Sequence, residues 1–171
     1  MSILKPIFAT GKFLILNFDR TYFVSKACNT ILMKEIEQLN DFCANSMIGV
    51  LGIIFTQFKI NSIHATMPVN SKTCQPNGWL HGGASLAFAE SLAGAGSYLI
   101  IDREKYNVFG MQVSGNHISS INNGSLNGDA QLIHKGKTTH IWEVKITGEN
   151  DKLISVVRVT NIITDKKKEE N

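Results

Sequence analysis

The sequence predicts an α+β domain in which a curved, largely antiparallel sheet wraps round one long central helix. Three observations predict it. Residues 84–101 form a stretch of eighteen with a single charged side chain, Glu90, and a helix that is apolar on every side is a buried one. Strand-like runs separated by turn signals follow that stretch, and two more precede it. The chain has 171 residues, the size of one domain and enough for a core that buries roughly 70% of the unfolded surface.

Residues 1–32 read as an N-terminal extension, apolar, basic and aromatic. Their longest unbroken apolar run, Phe13–Leu16, is bounded by Lys12 and Asn17, whereas a secretory signal needs about 7–15 apolar residues. A transit segment, or a mis-called start with Met33 as the true one, are the two readings left open. Met33–Ser46 reads as an amphipathic helix, with Ile36, Leu39, Phe42 and Cys43 on one face. From Gly52 to Val69 the period changes to two, with Asn61-Ser62 as the turn of a hairpin. The break Pro76-Asn77-Gly78 leads into the long helix. Strands are then expected at Val108–Asn116, Ser125–Ile133, Thr138–Thr147 and Lys152–Ile163. In the third, Trp142, Val144 and Ile146 alternate with Glu143, Lys145 and Thr147, the pattern of a sheet with one covered face. The domain spans 33–164, and 165–171 form a charged, solvated tail.

Composition excludes several function classes. With 43% hydrophobic and 18% charged residues, disorder, collagen and coiled coil do not fit. The net charge of +3 is accounted for by Lys5, Lys12, Arg20 and Lys26 against Asp19, so the body is neutral and carries no footprint for nucleic acid. Cys28, Cys43 and Cys74 have neither CxxC spacing nor a His-rich partner segment, which points away from a disulfide framework and toward a reducing compartment, the cytoplasm, or the mitochondrial matrix if residues 1–32 are a transit segment. The five histidines give no metal motif, and no metal or cofactor is expected. The long helix contains Gly94, Gly96, three serines and the ionisable Glu90, so no stable membrane span is expected.

Chemistry concentrates in Gln75–Ser91. Gly82 and Gly83 open the helix, leaving backbone N–H groups and the positive end of its dipole unshielded. Such an end can stabilise a developing oxyanion; the alternative is a helix start whose glycines allow tight packing. Glu90, inside the apolar helix, is expected to be buried with a raised pKa, as suits a general base or nucleophile. Its alternative is a buried Glu paired with a His or Lys of the sheet. Gly82 and Glu90 are eight residues apart, about 12 Å along a helix axis, while a base must lie within about 3 Å of its target, directly or through one water. If both act on one carbonyl, two helices must run antiparallel across a twofold axis, each site drawing on both chains.

These motifs resemble the hotdog-fold acyl-CoA thioesterases: Gln75, Gly78-x-x-His81-Gly82-Gly83-Ala84, Ala89-Glu90-Ser91, Gly115-Asn116-His117, His134-x-Gly136-Lys137 and Trp142-Glu143-Val144. They are most similar to the PaaI-like branch acting on aromatic acyl-CoAs, which includes the Glu-dependent 4-hydroxybenzoyl-CoA thioesterase, the 1,4-dihydroxy-2-naphthoyl-CoA hydrolase and the proofreading thioesterase of enterobactin synthesis. The resemblance runs from about Met33 to Ile163. It implies hydrolysis of an aryl or medium-chain acyl-CoA, with Glu90 as nucleophile or general base. The Gly82 N–H, helped by His81, polarises the thioester carbonyl, and Gln75 contacts the thioester or orients water. It implies a coenzyme A site made by Gly83, Asn116, His117, Ser119, Ser120, Lys137 and Thr138, and a homodimer with shared sites that assembles further into a homotetramer. A wall of Phe88, Leu92, Met111 and Trp79 would line the acyl pocket. Ser119 and Thr138 stand where the family often has Arg, and Gly94 where relatives often have Ser or Thr.

Two other functions share this fold. Hydroxyacyl dehydratases of the same fold use a His in the loop before the helix, where this chain has Gln75, and an amide cannot abstract a proton. A non-enzymatic acyl-CoA-binding module is the second, and the joint presence of Gln75, His81, Gly82 and Glu90 argues for catalysis over it.

Overall fold

The computed structural model describes the backbone of residues 21–166 and the side chains from residue 32. The apolar run at Phe13–Leu16 and most of the charged tail lie outside the described residues. Helix α1 spans Thr21–Cys43 and α2 Met47–Val50. The hairpin strands are β1 Ile54–Lys59 and β2 Ser62–Pro68, the central helix α3 is Gly82–Ile100, and β3 to β6 are Tyr106–His117, Ser125–Lys135, Thr139–Thr147 and Leu153–Asp165. The six strands form one antiparallel sheet in the order β1-β2-β4-β5-β6-β3. Every strand from β2 to β6 packs against α3. Bulges in β1, β3 and β4 bend the sheet in the way an extra unpaired residue does, which lets six strands curve round one helix.

Three expectations are adjusted. Helix α1 starts at Thr21 and so crosses the boundary read at residue 33. Ile36, Leu39 and Cys43 are buried at the i, i+3, i+7 spacing of one stripe, but Phe42, about 100° round the helix from Cys43, is 74% exposed and stacks on Tyr98 with ring centroids 6.0 Å apart. The hairpin turn is Ile60-Asn61, because Ser62 already pairs with Lys59. Asn40 ties α1 to the sheet through two bonds with the backbone of Phe55, donating to its carbonyl and accepting from its N–H, each 2.9 Å.

The core lies between α3 and the concave face of the sheet. Trp142, Val144 and Ile146 are fully buried there, as their alternation predicts. A polar cluster sits among them, centred on Ser97. Its hydroxyl oxygen accepts from the indole N–H of Trp142 (2.9 Å) and from the Asn161 amide (2.9 Å), and lies 3.1 Å from Nδ1 of His140. Two donors fill both lone pairs, so the Ser97 proton points at His140 and Nδ1 is an acceptor. His140 is therefore neutral with its proton on Nε2.

Burial holds the His140 imidazole below its ordinary value of 6.5, and the charges of Lys135 and His134 push in the same direction. The unfolded chain then binds the proton more readily than the folded one, so stability is complete above pH 6.5 and falls as the pH drops through 6.5 toward the lowered value. Thermal melts at pH 7.5 and 5.5 are expected to show a lower Tm at 5.5, with a smaller difference in His140→Asn, whose amide oxygen can still accept from Ser97. Equal differences in the two proteins would remove His140 as the cause.

Candidate active site

The loop before α3 is pinned from both sides. The His81 N–H donates to the Thr73 carbonyl (2.9 Å) and the Leu80 N–H to that of Ile121 (2.8 Å), while Gly78, at φ 85°, closes a turn back to Gln75. A left-handed φ of that kind suits glycine. His81 is the N-cap of α3, its Nδ1 accepting the Gly83 N–H at 2.8 Å. That bond places the ring proton on Nε2 and uses up Gly83. The Gly82 N–H has no hydrogen-bond partner among the described residues.

A cleft of about 400 Å³ opens at this helix end. Of the residues read from the sequence it gathers Gln75, Gly82, His117, Ser119 and Ser120. His117 lies directly over Gly82, its Nε2 only 2.7 Å from where a β-carbon at 82 would stand, so a side chain at 82 would displace the imidazole. The other ring nitrogen is 2.9 Å from the Ser155 hydroxyl. Ser119 donates to the Leu153 carbonyl, anchoring the strand end to β6.

Other expected residues lie elsewhere. Asn116 is exposed on β3 opposite Val156 and does not line the cleft. Lys137 and Thr138 occupy the β4–β5 turn, next to Lys135, whose ammonium donates to the Ile100 carbonyl at the opposite end of α3. Within one chain they do not meet the cleft. Phe88 and Leu92 are fully buried against Gly128 and Trp79 and Met111 are exposed, so the apolar lining comes instead from Leu80, Ile118 and Ile154.

Glu90 is the largest departure. In the single chain it is exposed, not buried, and its carboxylate lies over Gly110 of β3, where a β-carbon would overlap it. It forms no ion pair among the described residues. The surrounding surface is the side of α3 that the sheet does not cover, together with β3, a twelve-residue strand at the edge of the sheet.

Two cleft groups, and one cation beside the cleft, were not singled out from the sequence. Ser85 and Ser155 are buried in its wall, and Lys152 donates to the Ser120 carbonyl at 3.1 Å, bringing a cation to the strand end that lacks Arg. Ser85 had a signal, since it sits three residues after Gly82 on the same helix face. Ser155 reaches the cleft through the β3–β6 register, which local spacing does not reveal.

A six-stranded antiparallel sheet round a helix whose glycine-opened end faces a cleft defines the hotdog architecture. Residues 77–155 match the thioesterase superfamily. The chain is 36% identical over 128 residues, 75% of itself and 93% of the relative, to the 1,4-dihydroxy-2-naphthoyl-CoA hydrolase of Escherichia coli. Among solved structures it resembles a mutant thioesterase of Pseudomonas aeruginosa (TM-score 0.75, 40% identity, 77% of this chain and 94% of that one). A thioesterase of Haemophilus influenzae is similar (TM-score 0.74, 34% identity, 80% and 94%). This chain belongs to the thioesterase superfamily. No helix among the described residues is long and apolar enough to cross a membrane.

Proposed function

We infer that the protein hydrolyses the thioester of an acyl-CoA, with an aryl or medium-chain acyl group, to the free acid and coenzyme A. One observation carries this reading: α3 presents at a cleft a Gly82 N–H without a partner among the described residues and, two turns on, a carboxylate that no other charge among them neutralises. Gly82 polarises the carbonyl. Glu90 either attacks it, expelling the CoA thiolate and leaving an anhydride for water to cleave, or takes a proton from the water that attacks. Either route adds one water across the acyl–sulfur bond.

The two groups stand about 12 Å apart on one helix, so the site is shared by two chains with antiparallel α3 helices. The exposed position of Glu90 and the unpaired outer edge of β3 support such a dimer. Lys137 and Thr138, at the far end of α3, join a coenzyme A site only through an arrangement of this kind. The relative named as a CoA-thioester hydrolase supports the substrate class, and the cysteine pattern supports a cytoplasmic setting. The test is thiol release from benzoyl-CoA, 4-hydroxybenzoyl-CoA, hexanoyl-CoA and palmitoyl-CoA. Turnover of the first three above palmitoyl-CoA is expected, and no thiol from any of them would sink the reading.

A further inference from the structure

Two serines of α3 behave differently. Ser91 does what a helical serine ordinarily does, donating to the carbonyl four residues back, that of Ala87, at 2.7 Å. Ser85 has the same option with His81 and does not take it. Its hydroxyl is buried, 1% of the residue being exposed, and has no hydrogen-bond partner among the described residues. A buried, unsatisfied hydroxyl is unfavourable in the folded protein, so an ordinary packing role does not account for it. The residue lines the cleft beside Gly82.

Geometry says what it faces. Helical side chains lean toward the N-terminus, over the residues three and four positions back, so the Ser85 hydroxyl leans toward Gly82. The Gly82 N–H is the donor left free after His81 has capped Gly83. The glycine offers no β-carbon to separate the two donors, and His117 closes the site from above. Both residues line the same cleft, and neither donor has a partner among the described residues; two such donors on one oxygen are the arrangement that stabilises its negative charge.

We propose that Ser85 is a catalytic residue, the second donor of the oxyanion site, its O–H and the Gly82 N–H together binding the thioester oxygen as that atom becomes negative. The inference rests on the hydrolase reading above. When the nucleophile adds to the carbonyl carbon, the C=O electron pair moves to oxygen, and the two donors hold that oxygen until the C–S bond breaks and the pair returns. The hydroxyl keeps its proton throughout.

The experiment measures kcat and KM of wild type and Ser85→Ala on benzoyl-CoA, with a thermal melt of each protein. A donor used in the transition state predicts a fall in kcat of about 10²-fold, a KM changed less than about threefold, and a Tm equal to or above wild type because an unsatisfied hydroxyl has been removed. An unchanged kcat would overturn the proposal. So would a kcat that falls together with the Tm, which is the mark of a packing role. Absence of turnover in the wild type would overturn the hydrolase reading and this inference with it, whereas equal turnover in both proteins would overturn this inference alone.

Discussion

Glu90→Gln is expected to lower the rate of thiol release by at least about 10²-fold, the range seen when a general base is removed, with little change in Tm. The amide keeps the shape of the side chain but can neither accept a proton nor form an acyl intermediate. Stability is expected to hold because Glu90 is exposed on the chain, makes no ion pair among the described residues and lies over Gly110, which has no side chain to lose. The same variant tests whether sites are shared. Glu90→Gln and Ser85→Ala damage opposite ends of the proposed site. In a mixed dimer of the two, one site inherits both defects and the other inherits neither. Random mixing of two nearly inactive proteins, by coexpression, is then expected to recover about a quarter of the wild-type rate, half the dimers being mixed with one intact site each. Recovery no greater than the mean of the parents would mean that each chain carries a complete site. Loss of less than threefold in Glu90→Gln would remove the carboxylate from the mechanism.

The fold was legible because its signals are local. Alternation of Trp142, Val144 and Ile146 placed β5, and the near-absence of charge from Ala84 to Ile101 placed α3 within two residues. What the sequence misjudged was which neighbours each side chain would meet. Glu90 sits in an apolar segment, and burial was inferred from that segment, yet in one chain the sheet covers only one side of α3. A helix apolar all round can be finished by a second chain as well as by its own sheet, and composition cannot distinguish the two. Phe88 and Leu92, expected in the wall of the acyl pocket, lie in the core against Gly128. The site itself was half legible. Gly82 stands out as the glycine that opens the helix, while Gln75 and His81 are named by the resemblance; the three are close in sequence, with Gln75 and Gly82 lining the cleft and His81 capping α3 beside it. Ser155 comes from β6, brought to the cleft by pairing with β3 across the 38 residues between it and His117, and no periodicity carries that information. His81, expected to assist the carbonyl, accepts the Gly83 N–H at Nδ1, which leaves Gly82 as the donor without a partner among the described residues.

Ser97→Ala is expected to be the most destabilising single change in the core, lowering stability by about 2–5 kcal/mol, since each buried polar group left unpaired costs about 1–3 kcal/mol. The hydroxyl is shared by three partners from two strands, His140 and Trp142 on β5 and Asn161 on β6. Asn161 also donates to the Ala93 carbonyl at 2.9 Å and keeps a partner, but the Trp142 indole N–H and the His140 Nδ1 lose theirs in a site without solvent. For a chain of this length each kcal/mol moves Tm by roughly 2–4 °C, so a drop on the order of 10 °C is expected. A urea titration beside Trp142→Phe and the double variant separates hydrogen bonding from packing. If the Ser97–Trp142 bond carries the effect, the two changes are strongly non-additive, because the second removes a donor the first has already orphaned. Additive losses, or a Ser97→Ala penalty below 1 kcal/mol, would show that neighbouring groups can replace the hydroxyl. The opposite expectations for the two buried serines of one helix follow from their partners: the Ser97 hydroxyl has three and holds the sheet to α3, whereas that of Ser85 has none among the described residues, so its removal is not expected to weaken the fold.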